Sequence, residues 1–252
     1  MKEKKKLTKE EKIQKKKQSQ EESKKITVHE VIWYFLIFSV VGLILETIYG
    51  YVTCGVLESR KGLILGPVCP IYGVGAVAII LMLKNFKGKK VTLLFLGAIL
   101  GDIVEYTLSF VLEALYGSRF WDYSYATFQL NGRICLTYTI FWAILSLTLI
   151  EYVRPGIDRI INKIKGKTRK IIDGSIIGLL IIDCIVTVWG INVYKDRVMK
   201  QSQGIEISND SMIEKIQNTI FSNNIMSSIF PNLRYRDENG NEIWIKTMIP
   251  EE

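Results

Sequence analysis

The chain has 252 residues, of which 48% are hydrophobic, and 33 Lys+Arg stand against 25 Asp+Glu for a formal charge of +8. Length and composition suit one large domain or two small ones, soluble or membrane-bound. Distribution decides between them, because the apolar residues gather into five long runs and the charges gather between the runs and at both ends. That segregation excludes an ordinary soluble fold and makes nucleic acid the weaker reading of the charge, since basic residues flanking membrane spans fix topology and attract anionic lipid.

The chain opens with "MKEKKKLTKEEKIQKKKQSQEESKK", which mixes Lys with Glu and Gln and has almost nothing to bury. Residues 1–30 are therefore expected to form a basic, disordered cytoplasmic arm whose role is to set topology, with partner binding as the alternative.

The apolar runs follow: Val31 to Thr53, Val68 to Leu83, Val91 to Leu112, Leu136 to Val153 and Ile171 to Tyr194. Crossing the hydrocarbon core takes about 20 residues, with a range of roughly 17 to 25. Four runs qualify directly, and the second is short enough to need flanking groups near the interfaces or a thinned bilayer. The first run lies behind a polar stretch and lacks a small-residue cleavage site, so it reads as a span and not as a signal peptide.

Lys and Arg set the orientation. Residues 1–30 carry eleven, Lys84 to Lys90 four and Arg154 to Lys170 seven, whereas the loops 54–67 and 117–135 carry two each and the stretch after Tyr194 seven. The positive-inside rule then puts the N-terminus in the cytoplasm and the C-terminal tail outside. The predicted fold is an all-α polytopic bundle of five transmembrane helices in the cell membrane. Its parts are the arm (1–30), a four-helix core (31–155), a basic cytoplasmic loop (156–170), the fifth helix (171–194) and an external tail (195–252).

Within the tail, "SMIEKIQNTIF" places Ile213, Ile216 and Ile220 at helical spacing behind an N-cap at Asp210 or Ser211. "LRYRDENGNEIWIK" alternates apolar and polar residues around Asn239-Gly240, a strong hairpin signal. An isolated hairpin is marginal in water, so this one should lean on the outer loops or on a partner.

Carboxylates inside apolar spans are costly, on the order of 2.5–3.5 kcal/mol each on insertion scales, and they mark sites. The first helix holds Glu46, the third Asp102 and Glu105 with Glu113 at its outer end, and the fifth Asp183. Asp102, Glu105, Ser109 and Glu113 fall on one helical stripe. Ser39, Gly42, Glu46, Tyr49 and Thr53 form a second, and Asp183, Thr187, Gly190 and Tyr194 a third. Three such faces should turn toward one another around an outward-opening polar cavity that tapers to Asp102 and Asp183.

The counter-charges within reach are Arg60, Lys61, Arg119 and Arg133, and the start of the fourth helix makes Arg133 the preferred partner. Two readings stay open: the pairs glue helices together, or they line an ion or substrate pathway. Gly97-x-x-x-Gly101 and Gly174-x-x-x-Gly178 fit the small-xxx-small contact pattern and argue for a compact bundle.

Several chemistries drop out. "GKT" at 166–168 would need its first glycine at position 161, which is Ile161, so the chain has no Walker A loop. "YGVGAVA" lies inside a span with no strand before it. No cysteine pair has C-x-x-C spacing and His29 is the only histidine, so neither a metal site nor a cofactor is expected. Cys54, Cys69 and Cys135 all fall near the outer boundary, where a disulfide among them and small buried thiols are alternative readings. Cys184, mid-span, reads as packing.

The stretches "GLILGPVCPIYGVG", "EYTLSFVLEALYGSRFWDYS" and "LNGRICL" together resemble the bacterial family described as putative ABC-transporter type IV permeases, the CmpB-like membrane proteins. The resemblance covers roughly residues 34–155. It rests on Glu46, on Gly62, Gly66, Pro67, Cys69, Pro70, Tyr72 and Gly73, on Glu105, Glu113, Trp121, Asp122, Tyr123 and Ser124, and on Asn131 through Cys135. Two positions depart from the family pattern: Lys61 stands between Arg60 and the first glycine, and Gln129 replaces an Asn.

The resemblance implies a permease role. Five helices are few for a complete transporter, so the expected partners are membrane lipids, a separate ATPase subunit at the basic loop, and a second copy or second membrane subunit. A membrane-embedded enzyme acting on lipid or envelope substrate, and a non-catalytic sensor or assembly factor, are the alternatives. In each case "RKGLILGPVCPIYG" is expected to cap the cavity over Glu46 and Glu105 with the N-terminus of the second helix aimed into it, and Arg60, Lys61, Gly66, Pro67, Pro70, Tyr72, Trp121 and Asp122 are the loop candidates for the site.

Overall fold

The computed structural model describes residues 25–207, 211–236 and 242–248. The bulk of the N-terminal arm, Asp210 and the Asn239-Gly240 turn lie outside these residues.

Helix α1 (Val28–Cys54) begins at a capping box, in which the Thr27 side chain accepts the Glu30 amide and the Glu30 carboxylate accepts the Thr27 amide at 2.7 Å. It ends at Gly55, whose φ of 71° is the left-handed cap that glycine adopts without strain. Residues 28–30, assigned to the arm from composition, therefore belong to the first helix.

Helix α2 (Pro70–Leu83) starts on a proline, whose missing amide hydrogen costs nothing in the first turn. Helix α3 (Lys90–Tyr116) follows a short 3₁₀ turn, Lys84–Phe86.

Helix α4 runs over Leu136–Ile161. A single π turn, Leu149–Val153, widens it just before Arg154-Pro155, which lets the chain stay helical through a residue that cannot donate and would crowd the carbonyl four residues back. Helix α5 covers Gly166–Ser202. The stretch 156–170, expected as a loop, is thus helical on both sides of a reversal at 162–165, and the fifth helix outruns 171–194 at both ends. Hydropathy marks the apolar middle of a helix and not its solvated continuations.

Four of these helices, α1, α3, α4 and α5, are long and apolar enough to cross a membrane, and α2 is a shorter apolar helix beside them. Helices α1 to α4 pack in sequence order around Tyr34, Phe38, Ile79, Ile80, Leu93, Trp142 and Leu149. Small residues permit that approach. A Cβ on Gly97 would lie 2.3 Å from Ser146, and one on Gly101 2.2 Å from Trp142, so this glycine pair is where α3 meets α4. Gly174 and Gly178 on α5 face nothing within 4 Å among the described residues.

The end of the bundle bearing the basic stretches is latched by His29. Its ring is 2% exposed, with Nδ1 2.7 Å from Asp173 on α5 and Nε2 3.1 Å from the Ile161 carbonyl at the end of α4. Both ring nitrogens thus face oxygens, one on α5 and one at the end of α4. Trp33 Nε1 donates to the same carboxylate at 3.1 Å.

At the opposite end, α6 (Met212–Ile220) and α7 (Asn223–Ile229) bury Phe221, Met226 and Phe230 against Ile191, Tyr194 and Val198 of α5. Ser211 caps α6 in a second capping box. The short strand β1 (Ser118–Arg119) pairs with β4 (Arg234–Arg236), which pairs antiparallel with β5 (Glu242–Trp244), giving the order β1-β4-β5. The predicted hairpin thus leans on the loop after α3. A second ladder, β2 (Gln129–Leu130) with β3 (Ile134–Cys135), turns through Asn131 and Gly132, both at positive φ. "NG" is a hairpin signal here as well.

Candidate functional site

The segment 55–69 has no regular structure, and its backbone goes deep into the bundle. Leu65 and Gly66 donate their amides to the two oxygens of Asp183 at 2.9 and 2.8 Å, and Ile64 donates to the Thr187 hydroxyl at 3.0 Å. Cys69 donates to the Ser39 carbonyl at 3.1 Å, and Gly62 closes onto the Val68 carbonyl at 3.0 Å. Asp183 stands midway along α5 and Ser39 near the middle of α1. The segment is therefore re-entrant, and this explains why α2 is short: half of its path through the bundle is coil. Non-helical backbone survives at such depth only where protein groups or a wet cavity satisfy it, and here Asp183, Thr187 and Ser39 do so.

Beneath and beside the segment lies a cavity of about 290 Å³. Its polar lining comes from Glu46 on α1, Tyr72 on α2, Glu105 on α3, Tyr138 on α4 and Tyr123 and Trp121 from the loop 117–135, while Arg60, Lys61 and Gly62 line it from the re-entrant segment. Phe230, Pro231, Asn232 and Leu233 of the tail complete the wall. Glu105 is 3% exposed and accepts from Tyr123 Oη at 2.8 Å and Trp142 Nε1 at 3.1 Å. Tyr72 is the hydrogen-bonding neighbour of the Glu46 carboxyl. The rings of Tyr123 and Tyr138 stack at 4.8 Å and those of Tyr72 and Trp142 at 6.1 Å. Burial, then the Glu105 charge beside it, push the Tyr123 phenol well above its ordinary range, so it acts as a donor.

Of the remaining predicted residues Pro70 also lines the cavity, and Asp102, Glu113, Arg133, Asp183, Gly66, Pro67 and Asp122 sort away from it. Arg133, the preferred counter-charge, pairs with Glu113, donates to Ser109 Oγ at 2.9 Å and stacks over Tyr106 and Phe110. Arg119 joins it on Glu113 at 2.9 Å. The outer end of the α3 stripe is thus consumed by two arginines, and the basic groups that line the cavity are Arg60 and Lys61. Asp102 accepts from Thr139 at 2.9 Å, and Asp183 is committed to the re-entrant amides, so the two do not converge at a shared apex. Gly66 approaches Asp183 so closely that a Cβ would lie 3.2 Å from its Oδ2.

Trp121 donates to the Arg133 carbonyl at 3.1 Å. Asp122 accepts from Arg234 of the tail at 2.6 Å and from Ser124 Oγ at 2.6 Å. Burial opposes its ionisation, but the Ser124 hydroxyl and amide together with Arg234 outweigh it and hold the carboxyl below the usual range. Pro67 and Pro70 flank Val68 and Cys69, which are both buried. All four cysteines are free thiols, with Cys69 and Cys135 buried and Cys54 and Cys184 exposed. Cys184 lines the cavity, a place that its mid-span position does not reveal.

What fold and site define is a polytopic helical membrane protein with carboxylates and aromatic hydroxyls gathered around a cavity between its helices, beneath a coil that enters the bundle. The family described as Putative ABC-transporter type IV matches residues 33–188, more than half of the chain, and the chain belongs to that family. The match runs from α1 past Asp183 and Thr187, and so takes in the helix that anchors the re-entrant segment as well as the core. No curated protein and no solved structure matches the chain.

Proposed function

We propose that this protein is the membrane-spanning component of a transport system, with the cavity between α1, α2, α3 and α4 as its substrate site. The observation that carries this reading is the re-entrant segment hung on Asp183 over a cavity that holds Glu46 and Glu105. A coil that stops at mid-depth and turns into a half-length helix is the arrangement by which membrane transporters expose main-chain groups and a helix N-terminus to a substrate.

The N-terminus faces the cytoplasm of a cell whose plasma membrane the helices cross, and the tail lies outside. The basic surface at 154–170 is the docking face for a separate ATPase subunit, and a second copy or second membrane subunit completes the pathway.

Two measurements test this. Affinity purification of the full chain from native membranes should bring down a nucleotide-hydrolysing subunit, lost when the basic residues of 159–170 are neutralised. Accumulation of the transported compound should fall in Glu46→Gln and Glu105→Gln at unchanged protein level. Normal accumulation in both variants, with a lowered melting temperature alone, would mean that the carboxylates only join helices.

A further inference from the structure

Among the acids around the cavity, Glu46 differs from the rest. Glu105 is answered by Tyr123 and Trp142, Asp102 by Thr139, Asp183 by main-chain amides and Glu113 by two arginines. Glu46 has the Tyr72 hydroxyl beside it, and no Lys, Arg or His nitrogen among the described residues reaches within 4.0 Å of it. Arg60 on the cavity rim acts on Glu46 through space, and its ion-pair contact, at 3.8 Å, is with Glu58.

Glu46 also stands where two cavities meet. A smaller one, of about 80 Å³, lies between α1 and α4 and shares Glu46, Tyr72, Tyr138, Phe141 and Leu145 with the larger. Its outer lining, Val41, Leu45, Tyr49 and Phe141, is exposed on the apolar flank of the bundle, which in a membrane faces lipid. There α1 and α4 meet through aromatic rings, Tyr49 against Tyr138 at 6.5 Å and against Phe141 at 6.3 Å. Such rings part without breaking backbone bonds.

A carboxylate with no cation in contact, walled by ring faces and reached across an apolar surface, is complementary to positive charge on an apolar body. A hard metal ion suits it poorly, since such ions need several oxygen ligands and no group of three His, Cys, Asp or Glu side chains converges among the described residues. Resting on the reading of the cavity as a substrate site, we infer that it takes an amphiphilic organic cation, an ammonium or guanidinium on an apolar body, which arrives from the bilayer between α1 and α4 and sets its charge on Glu46.

The test uses the purified full chain in phosphatidylcholine nanodiscs and two ions of the same shape and opposite charge, tetraphenylphosphonium and tetraphenylborate. Binding is read by equilibrium dialysis and by quenching of Trp142 and Trp121. The phosphonium should bind and the borate should not. Glu46→Gln should weaken phosphonium binding about tenfold or more, the effect of losing one charge-assisted contact in a dry site, while Glu46→Asp should retain most of it. Leu45→Trp, which narrows the gap between α1 and α4, should slow phosphonium association and leave its equilibrium affinity within about twofold.

Cationic lipid built into the disc and soluble dodecyltrimethylammonium serve as competitors. Displacement by the lipid assigns the charge to a headgroup, and displacement by the soluble amphiphile alone assigns it to a free compound. Equal binding of both tetraphenyl ions, no binding of the phosphonium, or an unchanged affinity in Glu46→Gln overturns the cation assignment. An unchanged association rate in Leu45→Trp overturns the lateral route. The accumulation assay above is scored separately: lost accumulation in Glu46→Gln without charge preference sinks the ligand class and leaves the site standing.

Discussion

Asp183 holds Leu65 and Gly66 by their main-chain amides across 118 and 117 residues of sequence, at the middle of the bundle. One carboxylate on the fifth helix thereby fixes the coil that precedes the second. Removing it leaves two amides without acceptors where water is scarce, at a cost of about 1–3 kcal/mol for each buried group. Asp183→Ala should therefore melt earlier than wild type and expose the buried Cys69 to a membrane-permeant maleimide. Asp183→Asn, which keeps one good acceptor, should fall between. Labelling of Cys69 at the wild-type rate in Asp183→Ala would show that the segment is held by other contacts.

Glu113 lies between Arg119 and Arg133, all three largely shielded from solvent. Breaking a shielded pair strands the surviving charge, so Glu113→Ala, which leaves both arginines without it, should lose about 3 kcal/mol of stability, and Arg133→Ala, which leaves Glu113 its Arg119 partner, should lose less. Arg133→Ala combined with Glu113→Ala should cost much less than the two losses added, since the double variant strands one charge fewer. Denaturant titration of the four proteins in detergent measures the coupling, and strict additivity would contradict a shared cluster.

The tail is docked through the Asp122–Arg234 pair at 2.6 Å, with Arg234 stacked 4.4 Å over Trp244. Against the opposing effect of burial, the Asp122 carboxyl is held below its usual range by the Ser124 hydroxyl and amide first and by Arg234 of the tail after them. A depressed folded-state value contributes stability that is fully present above the free value of about 3.9 and is lost as pH falls through the lower folded one. Protection from hydrogen exchange at 233–236, relative to an unstructured chain at the same pH, should hold from neutral pH to about 4 and fall below it. In Asp122→Asn the protection should already be weaker at neutral pH and should lose most of its pH dependence in that window.

Glycine pairs with the same spacing should behave differently. Gly101→Ala drives a methyl group into Trp142, the donor to Glu105, and should destabilise by about 1–3 kcal/mol while disturbing the cavity. Gly174→Ala and Gly178→Ala meet open space and should be neutral or gain up to about 1 kcal/mol from helix propensity. Thermal melts of the three variants check the contrast. Destabilisation by Gly178→Ala would reveal a neighbour on that face of α5.

Much of the architecture was legible because membrane solvation acts locally. An apolar run of span length specifies a helix by itself, and the stripe through Glu105, Ser109 and Glu113 follows from helical geometry alone. The glycines at 97 and 101 marked a close contact for the same reason. Arg133 was legible as a counter-charge, but which carboxylate it answers was not. Arg133 and Arg60 are equally basic on paper, and only the turn at Asn131-Gly132, which carries Arg133 back onto Ser109 and Glu113, separates them. The depth of "RKGLILGPVCPIYG" was hidden as well, because it depends on an acceptor more than a hundred residues away. The reach of α5 beyond 171–194 escaped for a different reason: its ends are polar, and hydropathy is blind to a helix that continues into water.

The His29 latch orders events in time. Its acceptor Asp173 lies 144 residues further along the chain, so the ribosome delivers the first helix long before the residue that ties down its base. Until then the His29 Nδ1 and the Trp33 indole at that end wait without their partner. The bundle can gather from α1 to α4, but the end that holds His29 closes only when the last long helix arrives, which makes insertion of α5 the step that closes the bundle.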